Sequence, residues 1–164
     1  MKFCVECGNK LELRKCEGEG LIPFCNKCNE FRFPIFNTAI STAIYNKSME
    51  KVILIQQYGK DFNILVAGYV NKGESAEEAL VREVKEELNL NVINYKFVKS
   101  KYYEKSNTLM INFISFVDSE DLSDISSEVD KAQWFTIGEA KNAILKNSLA
   151  EEFLLEGINK YIEI

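Results

Sequence analysis

The chain has 164 residues and a mass of 18.8 kDa, enough for one domain with a small appendage. Hydrophobic residues make up 46% and charged residues 27%, which excludes a disordered chain, and a formal net charge of −5 gives no general attraction to nucleic acid or anionic membrane. There is no histidine. That excludes Ser-His-Asp and Cys-His nucleophiles and His-ligated metals, and leaves acid–base work to carboxylates, lysines, tyrosines, cysteines or metal-bound water.

All five cysteines, Cys4, Cys7, Cys16, Cys25 and Cys28, fall in the first 28 residues. Cys4-Val5-Glu6-Cys7 and Cys25-Asn26-Lys27-Cys28 are two CxxC knuckles with 17 residues between them. This is the spacing of a four-thiolate ribbon, and it predicts a structural Zn2+ held by Cys4, Cys7, Cys25 and Cys28. Gly8 and Asn29 follow the knuckles, where a left-handed residue suits the turn. Two disulfides or plain reduced thiols are the competing readings. No apolar run reaches the roughly 20 residues needed to span a membrane, and no leader precedes Cys4, so the expected location is the cytoplasm, where structural disulfides are rare. Cys16 is read as a spare thiol between the knuckles.

Phe31-Arg32-Phe33-Pro34 marks the ribbon's exit, giving expected domains at 1–34 and 35–164. The second reads as mixed α/β. Thr38–Tyr45 and Lys51–Gln57 form a predicted hairpin, and Asn63–Val66 a short third strand. A helix is expected over Ala76–Leu88, then strands over Val92–Lys101 and Leu109–Val117. An acidic, serine-rich loop spans Ser119–Ser127. A short strand follows over Lys131–Phe135, then helices over Ile137–Lys146 and Leu149–Tyr161.

The Ala76–Leu88 helix carries the chemistry. Ser75 and Glu78 form a capping box that fixes its start. Leu80, Val84 and Leu88 face the core at i, i+4 and i+8. Glu83, Glu86 and Glu87 then fall within about 100° of arc on an adjacent face. Carboxylates so close repel one another unless a cation sits between them, and hard Mg2+ or Mn2+ suits oxygen ligands. Arg82 stands beside them and can pair with Glu74, tying the preceding loop to the helix. A solvated acidic face is the bland alternative.

The spacing decides between these readings. Gly68, five residues, Glu74, seven residues, then Arg82-Glu83-Val84-Lys85-Glu86-Glu87-Leu88-Asn89-Leu90 resembles the Nudix box, G-x5-E-x7-R-E-U-x-E-E-x-G-U with U apolar. The one departure is Asn89 in place of the last glycine, and asparagine is the next residue best suited to a left-handed helix end. The resemblance implies an α/β/α sandwich around a mixed sheet and divalent-metal hydrolysis of nucleoside diphosphates linked to another group. By position, Glu83, Glu86 and Glu87 look like metal-binding carboxylates, Arg82 and Glu74 like their supporting pair, and the backbone near Gly68 like a further metal contact.

A four-Cys ribbon ahead of such a domain is similar to the NADH pyrophosphatase branch of that family. That resemblance implies that Tyr69 stacks on adenine, that Glu128, ahead of Trp134, is a further metal ligand, and that Ala150 contacts the nucleotide through its backbone. The branch's specificity array, SQPWPFPxS then Leu-Met, matches here only at Ser100, an aromatic at Tyr103, and Leu109-Met110; its prolines and tryptophan are missing. NAD(H), ADP-ribose-like nucleotides and a 5′-NAD cap on RNA all stay open as substrates. The expected reaction is in-line attack on phosphorus by a metal-activated water, with a box glutamate or Glu128 as base. The expected partners are a nucleotide or dinucleotide and, by resemblance, a second copy in a homodimer, with no membrane. Nucleic acid enters only as a capped RNA 5′ end, or in the rival reading of a nucleotide sensor whose ribbon binds nucleic acid.

Overall fold

The computed structural model describes residues 1–162. The chain divides into two compact units, Met1–Phe36 and Asn37–Ile164. Among the described residues, no helix is long and apolar enough to cross a membrane.

The first unit is a three-stranded antiparallel sheet of β1 (Glu12–Cys16), β2 (Gly20–Cys25) and β3 (Glu30–Phe31), in that order. Its buried apolar content is small: Cys4, Phe24 and Cys25. Phe24 is held edge-on by Phe31, with ring centroids 4.9 Å apart, and the Arg14 guanidinium lies 3.7 Å from its centre. So little burial cannot hold a fold of this size unaided.

The second unit is a sandwich. Its six-stranded sheet has the order β7-β8-β4-β5-β9, built from β4 (Asn37–Tyr45), β5 (Lys51–Gln57), β7 (Val92–Tyr103), β8 (Thr108–Val117) and β9 (Val129–Thr136), with β6 (Val66–Tyr69) paired to β4. β4 and β8 are parallel and the other pairs antiparallel, so the sheet is mixed. Helix α1 (Ala76–Leu88) covers one face, and α2 (Ile137–Ala143) and α3 (Leu149–Tyr161) the other. The central strands are buried on both sides, and alternate residues serve opposite cores. On β5, Ile53 and Ile55 pack with Leu80, Val84 and Leu88 of α1. Val52 and Leu54 pack with Phe153, Leu154 and Ile158 of α3. Gly157 lets α3 approach β8 closely, since a Cβ there would lie 2.8 Å from Ile114 Cγ2.

Helices α1 and α3 have the expected bounds. The third strand does not. It runs over Val66–Tyr69 rather than Asn63–Val66, because the backbone of Val66 to Tyr69 pairs with Thr42 to Ala39. Asn63 and Ile64 make only isolated bridges. The strand therefore lays Gly68 and Tyr69 against the middle of α1, at Glu83 and Arg82. Helix α2 stops at Ala143, three residues early, where Ile144 turns extended and Leu145 N donates to Asn63 O.

Candidate functional site

In the first unit the four knuckle sulfurs converge. Their Sγ atoms all lie within 4.8 Å of one another. Cys7 and Cys25 are 3.5 Å apart, Cys4 and Cys28 3.9 Å, close to the roughly 3.8 Å edge of a tetrahedron with Zn–S bonds of about 2.3 Å. The two knuckles have the same turn: Gly8 N donates to Cys4 O and Asn29 N to Cys25 O, with Gly8 and Asn29 both left-handed. Arg32 Nε donates to Cys4 Sγ at 3.2 Å and pulls that thiol down to about 6, while shared hydrogen bonding with Cys7 and burial push Cys28 up to about 12. The donor set fits a soft, thiolate-preferring metal. Cys16, at the end of β1, stands outside it.

In the second unit, α1 begins at the predicted capping box, with Ser75 accepting from Glu78 N and the Glu78 carboxylate accepting from Ser75 N. It ends on Asn89, left-handed at φ 54, as the glycine substitute. Between these caps Arg82 is the hub. Its Nε donates to Glu74 Oε1 at 2.7 Å and its Nη2 to Glu74 Oε2 at 2.9 Å, a two-pronged pair. Nη2 also reaches Tyr69 O at 3.0 Å, and Nη1 donates to Glu83 Oε1 and Glu86 Oε2 at 2.7 and 2.9 Å. The guanidinium holds Glu74 down to about 2, helped by the Asn71 backbone.

Glu87 is different. Only 4% exposed, it receives Gln57 Nε2 on Oε1 at 2.9 Å. Its Oε2 is buried with no hydrogen-bond partner among the described residues. Burial pushes this carboxyl up to about 7, with Glu83, Glu128 and Glu86 adding to the shift and Gln57 opposing it. Glu83 fills the space that Gly68 leaves: a Cβ on Gly68 would lie 2.0 Å from Glu83 Cδ. These residues meet in a pocket of about 420 Å3 whose walls include Gly68, Tyr69, Glu83, Glu87 and Glu128. A buried carboxylate oxygen without a partner, in a pocket shared with Glu83 and Glu128, suits a hard divalent cation.

The predicted residues divide into two groups. Gly68, Tyr69, Glu74, Arg82, Glu83, Glu86, Glu87 and Glu128 gather around this pocket or the Arg82 network that borders it. Ser100, Tyr103 and Ala150 do not line it. Tyr103 opens instead on a separate cleft with Lys101, Lys105 and Ser148, and Ala150 packs against the α3-side core. Sequence reasoning missed Gln57, Tyr58, Ser106 and Thr108. The last three line the pocket and Gln57 holds Glu87. Gln57 ends a strand whose pattern otherwise reads as core, and only Gly59 hinted at a turn beyond it.

Comparison with known proteins agrees with this geometry. A family model described as "NUDIX domain" matches residues 36–155. The "NAD-capped RNA hydrolase NudC" of Yersinia pestis (strain Pestoides F) is 30% identical over 136 residues, covering 82% of this chain and 50% of the relative. The chain thus spans about half the length of the curated relatives it matches. Among solved structures, a NUDIX hydrolase from Nitrosomonas europaea superposes with TM-score 0.69 at 21% identity, over 96% of this chain and 90% of that one. A MutT/nudix family protein from Enterococcus faecalis gives TM-score 0.63 at 19% identity, over 80% and 64%. At such identities these two establish the shared fold.

Proposed function

Since this chain belongs to the Nudix family, we propose that it is a metal-dependent pyrophosphohydrolase that cleaves the diphosphate of a nucleoside diphosphate linked to a second group. The observation that carries this reading is the partnerless Oε2 of Glu87, buried in a pocket shared with Glu83 and Glu128. Glu83, Glu86, Glu87 and Glu128 would hold Mg2+ or Mn2+, which supplies charge neutralisation of the pyrophosphate and a lowered pKa for water.

The chain's own groups do the rest. Gln57 occupies one oxygen of Glu87 and leaves the other free for the site. Arg82 fixes the end of β6 and the loop to Glu74 against α1 through Tyr69 O and Glu74, so the pocket wall and the carboxylates keep one geometry. A pocket glutamate takes the proton of the attacking water as the new P–O bond forms and the bridging P–O bond breaks. A dinucleotide then yields two mononucleotides. Tyr69 offers an exposed ring for the adenine. Ser100, Tyr103 and the Ala150 backbone, away from the pocket, are substrate contacts only for a ligand that extends beyond it. In the first unit the four thiolates hold a structural Zn2+. The name of the Yersinia relative makes NAD(H) and NAD-capped RNA the first substrates to try, with ADP-ribose beside them, and a homodimer in the cytoplasm completes the reading.

The test is a metal-supplemented hydrolysis panel over NADH, NAD+, ADP-ribose, FAD, diadenosine polyphosphates, nucleoside triphosphates and NAD-capped RNA, with product identification. Glu86→Gln and Glu87→Gln are expected to lower turnover by about a hundredfold or more while circular dichroism stays native. Near-normal turnover in a folded variant refutes the assignment.

A further inference from the structure

The turn after β5 carries a tyrosine where that residue is conformationally costly. Tyr58 has φ +60 and Gly59 φ +65, and Lys60 N donates to Gln57 O at 3.1 Å. Two successive left-handed residues inside that hydrogen bond make a turn of the I′ kind, whose first central position favours Asn, Asp or Gly. A bulky side chain there crowds its own backbone. Packing does not explain the choice. Tyr58 is 83% exposed, more than any other exposed large hydrophobic among the described residues. The turn is nonetheless held in place, because Gly59 N donates to Asp130 Oδ2 at 2.6 Å, two residues past Glu128. Tyr58 also lines the carboxylate pocket, together with Tyr69, which is 57% exposed.

A strained aromatic that serves no core, presented by a pinned turn at the mouth of a carboxylate pocket, calls for a ligand. We propose that Tyr58 is a ring-binding residue of this site, stacking a planar heteroaromatic ring of the substrate while the glutamate end of the pocket receives the pyrophosphate. This rests on the hydrolase reading above and adds a specificity determinant to it. With Tyr69 the pocket has two exposed phenol rings, which matches a substrate bearing rings near its pyrophosphate. The ring on Tyr58 is either the nucleobase or a pyridine ring at the other end, and the choice of substrates in the test separates them.

The experiment measures KM and kcat for NAD+ and ADP-ribose, calorimetric Kd for AMP and nicotinamide mononucleotide, and thermal midpoints. It compares the wild type with Tyr58→Gly, Tyr58→Asn and Tyr58→Phe. Glycine and asparagine both accept the left-handed backbone, so their midpoints are expected to equal or exceed the wild-type value. In both, KM is expected to rise about ten- to hundredfold, the range lost when a stacking ring is removed, with KM changing more than kcat. Tyr58→Phe keeps the ring and is expected to stay within about threefold of the wild type. A rise for NAD+ alone, with weaker nicotinamide mononucleotide binding, assigns the pyridine ring; a rise for both substrates, with weaker AMP binding, assigns the nucleobase. Unchanged KM and Kd in Tyr58→Gly, beside an active wild type, overturn this inference and leave the hydrolase reading standing. A Tyr58→Phe as impaired as Tyr58→Gly also overturns it, because the hydroxyl rather than the ring would then matter. A wild type that hydrolyses nothing in the panel refutes the hydrolase reading and this inference with it.

Discussion

Single atoms set the quality of the carboxylate pocket. Gly68 is required for its missing Cβ rather than for a special φ, since it is β6 and not a tight turn that holds it. A methyl group placed 2.0 Å from Glu83 Cδ has to push that carboxylate out of its place. Gly68→Ala is therefore expected to cut kcat/KM by about a hundredfold, the usual penalty for displacing a reacting group by an ångström or so. The pairing of β6 with β4 and the thermal midpoint are expected to survive. Steady-state kinetics beside a melting curve check this, and a fully active Gly68→Ala would show that Glu83 has room to spare. Glu87 makes the same point through hydrogen bonding. Gln57 satisfies one of its oxygens and nothing described satisfies the other, so the residue is half held and half available.

The element that matters most is α1 with the loop that leads into it. Its capping box and left-handed Asn89 fix both ends, and the Arg82–Glu74 pair fastens the Asn71–Glu74 turn to its flank. That fastening depends on pH in a definite direction. Arg82 and the Asn71 amide favour the ionised Glu74 in the folded protein, lowering its pKa from 4.5 to about 2. The stabilisation is then complete above the unfolded value and is lost as pH falls from there towards the folded one. Glu74→Gln is expected to lower the urea midpoint relative to wild type at about pH 6, and the gap is expected to narrow as pH drops through about 4. A gap that is constant over that range would mean that Glu74 acts through shape and not charge.

At the scale of the whole molecule the chain is two units with different sources of stability. Both apolar cores of the sandwich are built from residues of the Asn37–Ile164 unit, whereas the Met1–Phe36 unit buries few apolar residues and gathers four thiols. Metal binding in such a ribbon is folding energy. Stripping the proposed zinc with a strong thiol-competing chelator is expected to abolish the amide dispersion of residues 1–36 in NMR spectra. The resonances of the sandwich should be retained. A ribbon that stays folded without metal would contradict this.

Much of this was legible in the residues. The CxxC pairs, the Ser75–Glu78 box, the i, i+4, i+8 stripe of α1 and the order of α and β elements are local patterns. Each follows from the geometry of a knuckle, a cap or a helix turn. The Gly68 to Leu90 spacing carried the family and with it the carboxylate set. The sequence could not say that Gly68 lies in a strand, because β6 exists only where β4 offers it backbone partners. Nor could it show Gln57 on Glu87, Asp130 on the Tyr58 turn, or Tyr103 facing a different cleft, since each joins residues far apart in the chain or sides of the sheet that a one-residue bulge can exchange. The chemistry this chain carries was thus determined by its sequence alone, in the absence of histidine and in the clusters of thiols and carboxylates. Which carboxylate oxygen is left unsatisfied, and which aromatic rings line its pocket, were decided only by tertiary structure, because both depend on pairing and burial between distant segments.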